Sequence, residues 1–330
     1  MLSALFRKPE TPAPTTIHES AAPPDPAAWT DSYKKELLDL VAAHGAVLVN
    51  GLDLRGTTDV EAVVRRVTDR PVRETEGFAP REAHGEGLYS SAVWPANQPM
   101  CMHHELSYAR RCPGLLLFAC LEPPTGGGAT ALADAAAVLD ALPATLVERF
   151  EEEGWLLERS YNGEIGATLS QAFGTEDRGA VDAYCRAHDI ETSWQPDGTL
   201  RTRQRRSAVV RHPVSGLRCW FNQIAFLSEW TMAPEVREFL IEEYGPRGLP
   251  FTTRYGEGDP VPPEVVERIN KTYDDVTIRR PWQAGEVMIV DNLRTAHSRE
   301  AYTGPREVLV AMADPFAPPL PDQPPRRAAA

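Results

Sequence analysis

The chain has 330 residues, 42% of them apolar, enough to bury one large core or two small ones. Its 47 acidic residues outnumber the 34 Lys and Arg, and a formal charge of -13 at pH 7 leaves no overall positive field to draw in nucleic acid or an anionic membrane surface. Five cysteines without a C-x-x-C pair, no secretory leader pattern ahead of them and no apolar run of the roughly 18 to 20 residues a membrane span needs are the marks of reduced thiols in a cytoplasmic protein.

Residues 1–29 are rich in Pro, Ala and Thr and lack apolar periodicity, so a disordered N-terminal tail is expected there. Asp31 and Ser32 can cap a helix that carries Leu37, Leu38, Val41 and Ala42 and stops near Gly45, and Ala46–Val49 reads as a buried strand. Further helices are expected at 59–67, in the second half of 133–153, at 177–188 and at 233–243. Strands are expected at 114–120, 192–196, 208–212, 217–221, 275–280, 286–290 and 307–313. Residues 317–330 return to a Pro-rich composition and read as a second tail. Short strands broken by Gly, Pro and Asp, with helices between them but no regular β-α-β alternation, predict a mainly β domain over 30–316, a sandwich or barrel with flanking helices.

Eight histidines are the candidates for chemistry. His-x-Glu triplets occur twice, and with 47 acidic residues in 330 about one is expected by chance, so the setting must decide. His84-Gly-Glu86 sits in a polar stretch where the chain is expected to turn, and reads as exposed loop. His103-His-Glu105 follows Pro99-Met-Cys-Met102, which reads as a strand. On a strand, residues i and i+2 share a face, so His103 and Glu105 would converge while His104 points away. Two histidines and one carboxylate make the facial triad of non-haem iron(II) oxygenases, and the distant third ligand is then His297, just beyond the apolar strand Glu286–Val290 and the corner Asp291–Ala296. His212, ahead of Pro213, is a weaker candidate. Such chemistry with 2-oxoglutarate needs a guanidinium for the far carboxylate, and Arg306, nine residues after His297, is placed to supply it.

The stretches GLYSSAVWPANQPMCMHHELSYARRCPGLLLFACLEPPTGGGATALAD, RCWFNQ and DNLRTAHSREAYTGPREVLVAM resemble the TauD/TfdA-like iron(II)/2-oxoglutarate dioxygenases, and within them the syringomycin-pathway hydroxylase branch. The resemblance covers nearly everything between the tails. It implies a double-stranded β-helix (jelly-roll, cupin-like) core, with iron(II), 2-oxoglutarate and O2 as cofactor and co-substrates. By the same resemblance the iron ligands fall on His103, Glu105 and His297, and the co-substrate carboxylate contacts on Arg306 and Thr130.

The reaction it implies is hydroxylation of an unactivated C–H bond in an amino acid or a derivative of one in a natural-product pathway, releasing succinate and CO2. Desaturation, epoxidation or cyclisation is the alternative outcome. A carboxylate ligand, where a halogenase would have Gly or Ala, argues against chlorination. Glu307 follows Arg306 where many relatives have a basic residue. Substrate contacts are expected from Asn222 in the WFNQ stretch and from Tyr89 and Ser91 as lid or pocket wall. An acyl or peptidyl carrier protein is a further partner of such enzymes, for which Arg110, Arg111, Arg201, Arg203, Arg205 and Arg206 offer local basic patches; a homo-oligomer is also compatible. Competing readings are a cupin-like, O2-independent metal enzyme and a non-catalytic binding module. Arg306 and Thr130 speak against the first, and the intact ligand set against the second.

Overall fold

The computed structural model describes residues 15–18, 23 and 25–321. Its largest sheet has seven strands, ordered Thr15–His18, Ala46–Asn50, Glu286–Asp291, Cys112–Glu122, Glu307–Phe316, Leu88–Ser90 and Ala83–Gly85. The first pair is parallel and the rest are antiparallel. A small antiparallel sheet of Met100–His103, Thr295–Arg299 and Thr130–Asp134 joins it around a shared core, giving the two sheets of a jelly roll.

Alternation along the strands explains the continuous apolar runs of the large sheet. Leu116, Phe118, Met288 and Val310 belong to the same buried cluster as Met100, Met102 and Leu132 of the small sheet. Their neighbours Leu117, Ala119, Ile289 and Leu309 cluster instead with Leu37, Val41, Val60 and Val64 of the helices Pro26–His44 and Thr57–Val67. Because both faces are covered, neither set of positions can be polar.

Between the two sequence halves of the jelly roll lies a four-stranded antiparallel sheet, Glu191–Trp194, Leu200–Arg206, Trp155–Tyr161 and Phe251–Tyr255. Along its second strand Leu200, Thr202, Gln204 and Arg206 are buried, while Arg201, Arg203 and Arg205 are only half-buried. The cysteine thiols are unpaired, and burial pushes those of Cys112, Cys120, Cys185 and Cys219 up to about 12. No helix among the described residues is long and apolar enough to cross a membrane.

Several boundaries differ from the expectation. The first helix is capped by Asp25, whose carboxylate accepts from the Ala28 amide at 3.0 Å, with Pro26 in its first turn. It therefore begins inside the stretch read as tail, as does the strand Thr15–His18; the rest of 1–29 except Pro23 and residues 25–29, and residues 322–330, lie outside the described residues. The expected strand at 275–280 is the end of a helix, Pro263–Val276, that buries Val266, Ile269, Thr272 and Tyr273 at helical spacing. Ile278 makes only an isolated bridge to Leu132. The helix expected in the second half of 133–153 is two, Ala135–Ala141 and Ala144–Glu153, separated at Pro143.

Candidate active site

The small sheet carries the two histidines side by side. His297 lies in the middle of Thr295–Arg299, not in a loop past its strand, and pairs directly with His103, the last residue of Met100–His103. Glu105 stands two residues beyond that strand, in a turn whose next residue, Leu106, has φ 52°. The carboxylate thus converges with the histidines through a turn, and not through the alternation of a strand. Ligand atoms of His103, Glu105 and His297 all lie within 4.8 Å of one another, and all three residues are buried. His84 and Glu86 form no such group among the described residues.

A web of side chains fixes the turn. The Asn292 amide accepts from the Glu105 backbone N–H at 2.9 Å and donates to the carbonyls of Glu105 and Pro113 at 3.0 and 2.7 Å. Gln223 Nε2 donates to the His104 carbonyl at 2.7 Å. His104 points away, donating from Nδ1 to the Asn292 carbonyl at 2.6 Å with its ring against Phe221.

The tautomer of His103 follows from its partner. Nδ1 lies 2.9 Å from the Cys101 carbonyl, so the proton sits there and Nε2 keeps a lone pair with no partner although it is buried. Burial, reinforced by His297, pushes the His103 imidazole down to about 3, which keeps it neutral. Phe226 stacks on His103 with centroids 4.5 Å apart, and Phe118 packs against His297 at 5.1 Å. Burial alone would raise the Glu105 carboxyl, but the groups around it, Arg81 foremost, outweigh that and hold it well below the usual range. Two imidazoles and an ionised carboxylate around one point, with His103 presenting an orphaned lone pair, suit a divalent iron.

The same cavity is lined further on by Thr130, Ser91, Arg299 and Arg306. Arg306 donates from Nε to the Gly128 carbonyl and from Nη1 to Ser91 Oγ, both at 3.1 Å, and no described carboxylate pairs with it. Burial, together with neighbouring Arg299, pushes it down to about 10, so it remains a cation at neutral pH and lacks a counterion. The Thr130 hydroxyl accepts from Trp282 Nε1 at 3.1 Å, leaving its own proton to donate. A half-buried guanidinium and a hydroxyl with a free proton fit the carboxylate of a bound dicarboxylate.

The expected substrate residues fare differently. Ser91 lines the cavity, but its hydroxyl donates to the Val308 carbonyl at 2.7 Å and accepts from Arg306, so it positions the cation. Tyr89 is turned away; its hydroxyl accepts from the Glu74 N–H at 2.8 Å. Asn222 is buried, donates to the Ala208 carbonyl, accepts from the Ile224 N–H and is not among the residues lining the cavity. His212 is no ligand, since its two ring nitrogens engage Asp291 and the Ser215 N–H. Sequence reading missed Arg81, which donates to Glu105, and Arg299, which holds the segment 94–98 by bonds to the Trp94, Pro95 and Gln98 carbonyls.

The chain is 30% identical over 286 residues to the dapdiamide synthesis protein DdaC of Enterobacter agglomerans, covering 87% of each. It is 26% identical to a clavaminate synthase-like protein of Arabidopsis thaliana, covering 92% of this chain and 97% of the other. Among solved structures, PvcB of Pseudomonas aeruginosa superposes with a TM-score of 0.53 at 13% identity, over 92% of this chain and 86% of that one, and shares the fold. PvcB is described as an Fe, α-ketoglutarate-dependent oxygenase from an isonitrile synthetic pathway. Residues 8–312 match the taurine catabolism dioxygenase TauD, TfdA family, and the chain belongs to that family of iron(II)- and 2-oxoglutarate-dependent dioxygenases.

Proposed function

We propose that His103, Glu105 and His297 hold the iron(II) and that Arg306 and Thr130 take the far carboxylate of 2-oxoglutarate. The observation that carries this reading is one cavity lined by a buried His/Glu/His group and, apart from it, by a half-buried cation with no described carboxylate against it. With O2, the bound iron and 2-oxoglutarate supply the oxidising power for a C–H bond, 2-oxoglutarate leaving as succinate and CO2. The chain's own groups do the rest. The His103 and His297 rings are wedged by Phe226 and Phe118, the Arg306 guanidinium is aimed by Gly128 and Ser91, and Met100, Phe118 and Val310 give the cavity apolar walls that exclude water.

The substrate is an amino acid or a molecule derived from one, made in a natural-product pathway, and hydroxylation is the default outcome. Support comes from DdaC and PvcB, both named for biosynthesis. The syringomycin-pathway branch is supported by the motif resemblance alone. Desaturation, epoxidation or cyclisation would need only a different substrate pose. The place of action is the cytoplasm, a reading supported by the cysteine usage.

A carrier-tethered substrate is a second reading. On this acidic chain a cleft of about 650 Å³ on the four-stranded sheet is lined by Arg201, Arg203, Arg247 and Arg254, a local basic surface for an acidic carrier domain. Arg206, by contrast, is turned inward onto the Tyr108 and His188 carbonyls.

The test is anaerobic titration of the metal-free protein with iron(II) and 2-oxoglutarate. A visible charge-transfer band that is absent in His297→Ala is the expected result. Absence of the band from the wild-type protein at every iron loading would sink the proposal and leave the O2-independent metal enzyme or the binding module.

A further inference from the structure

Arg81 is accounted for by neither the ligand triad nor the co-substrate contacts. Its side chain is only 5% exposed and lines the cavity. Nη2 donates to Glu105 Oε2 at 2.9 Å, and Nε lies 3.3 Å from Glu74 Oε1. Among the described residues no other group stands within hydrogen-bond distance of the Glu105 carboxylate; the His297 Nε2 is next, at 3.7 Å. Asn292 fixes the backbone of Glu105 but leaves its side-chain rotors free, and the carboxylate stands beyond the end of the strand.

The segment that delivers Arg81 is held by more contacts than a connecting loop needs. Residues 73–81 form neither helix nor strand, yet they are pinned at several points. Tyr89 Oη takes the Glu74 N–H, and the Glu76 N–H donates to the Ala172 carbonyl at 2.7 Å. Glu76 is buried at φ 59°, an uncommon conformation for a residue with a side chain. Its carboxylate accepts from Tyr184 Oη and Gln204 Nε2, both at 3.0 Å, and its carbonyl from Tyr108 Oη at 2.9 Å and Arg159 Nη1 at 2.6 Å. Arg159 Nη2 holds the next carbonyl, that of Gly77, at 2.9 Å. A left-handed residue and a buried polar network persist only where surrounding structure over-determines them. The network reaches from the four-stranded sheet to the strap, and what the strap places in the cavity is one guanidinium.

We infer that Arg81 is the positioning residue for the iron ligand Glu105, held by the strap 73–81 so that the carboxylate is aimed before metal arrives. This rests on Glu105 being a ligand. Outer partners of ligating carboxylates act on metal affinity, typically by about 10–100-fold.

The experiment is an anaerobic competition of iron(II) between the full chain and a chromophoric chelator, without 2-oxoglutarate, on wild type, Arg81→Gln and Arg81→Lys, with circular dichroism of each. Expected is an iron Kd raised about 10–100-fold in Arg81→Gln and by less in Arg81→Lys, which keeps a donor and a charge but cannot serve Glu74 and Glu105 as a planar fork does. Folded variants that both bind iron within about twofold of wild type overturn the role. Should Arg81→Gln not fold, Arg81→Lys decides alone: weaker iron binding supports the role and unchanged binding overturns it. Unchanged iron binding, with a weakened charge-transfer band when 2-oxoglutarate is then added in a second titration, would also overturn it, by making Arg81 a co-substrate contact. A wild-type chain that binds no iron brings down the ligand reading itself, and this role with it.

Discussion

The two ends of the cavity are built on opposite principles. Around Glu105 the charged groups already have partners, because Arg81 lies between the Glu74 and Glu105 carboxylates and both imidazoles are buried beside them. The Arg306 guanidinium, by contrast, has no described carboxylate beside it; a carbonyl, a hydroxyl and the Tyr302 ring are its partners, with a second cation, Arg299, nearby. One end is organised in advance by the protein; the other holds a cation that, on the proposed reading, a dicarboxylate would pair with on binding. Affinity for metal should therefore depend on geometry, and affinity for 2-oxoglutarate on charge.

That contrast can be broken from either side. The largest effect is expected at the ligands: His103→Ala or Glu105→Ala should abolish iron binding and turnover, read by metal analysis and succinate release. Next comes Arg306→Gln, which should weaken 2-oxoglutarate by about 10–100-fold, the loss of a charged hydrogen-bonded pair of about 1.5–3 kcal/mol, while leaving iron affinity unchanged in titration. Asn292→Ala should do the reverse. It removes three hydrogen bonds around the ligand turn, should cost about 2–4 kcal/mol in denaturant unfolding, and should weaken iron more than 2-oxoglutarate. The smallest effect belongs to Thr130→Val, about 3–10-fold on 2-oxoglutarate affinity, since one neutral hydroxyl is lost beside a cation that remains. Equal effects of Arg306→Gln on both ligands would show that the two ends are not independent.

The His103, Glu105 and His297 group was legible in the sequence, though its geometry was not. His103-His-Glu105 stood out because an apolar strand leads into it, yet the strand stops at His103 and a left-handed turn at Leu106 accompanies Glu105. The small sheet was hidden for a physical reason: Thr130–Asp134 and Thr295–Arg299 have five residues each, are not uniformly apolar, and adjoin a glycine run or a polar corner that reads as turn. The four central strands of the large sheet were visible because they are buried on both faces, whereas Thr15–His18, Ala83–Gly85 and Leu88–Ser90 were not expected. Arg81 left no local trace, since what places it comes from Tyr108, Arg159, Tyr184 and Gln204, far along the chain. The partners of Asn222 were not legible either: an amide next to aromatic residues looks available, whereas it bonds the Ala208 carbonyl and the Ile224 N–H.

The alternation of the large sheet also sorts its positions for anyone wishing to retune the enzyme. Phe118 and Val310 face the cavity, while their immediate neighbours Leu117 and Leu309 face the helices Pro26–His44 and Thr57–Val67. A library confined to the first pair reshapes the chamber on an intact support, whereas one that strays a single step along either strand spends its diversity on loosening the shell.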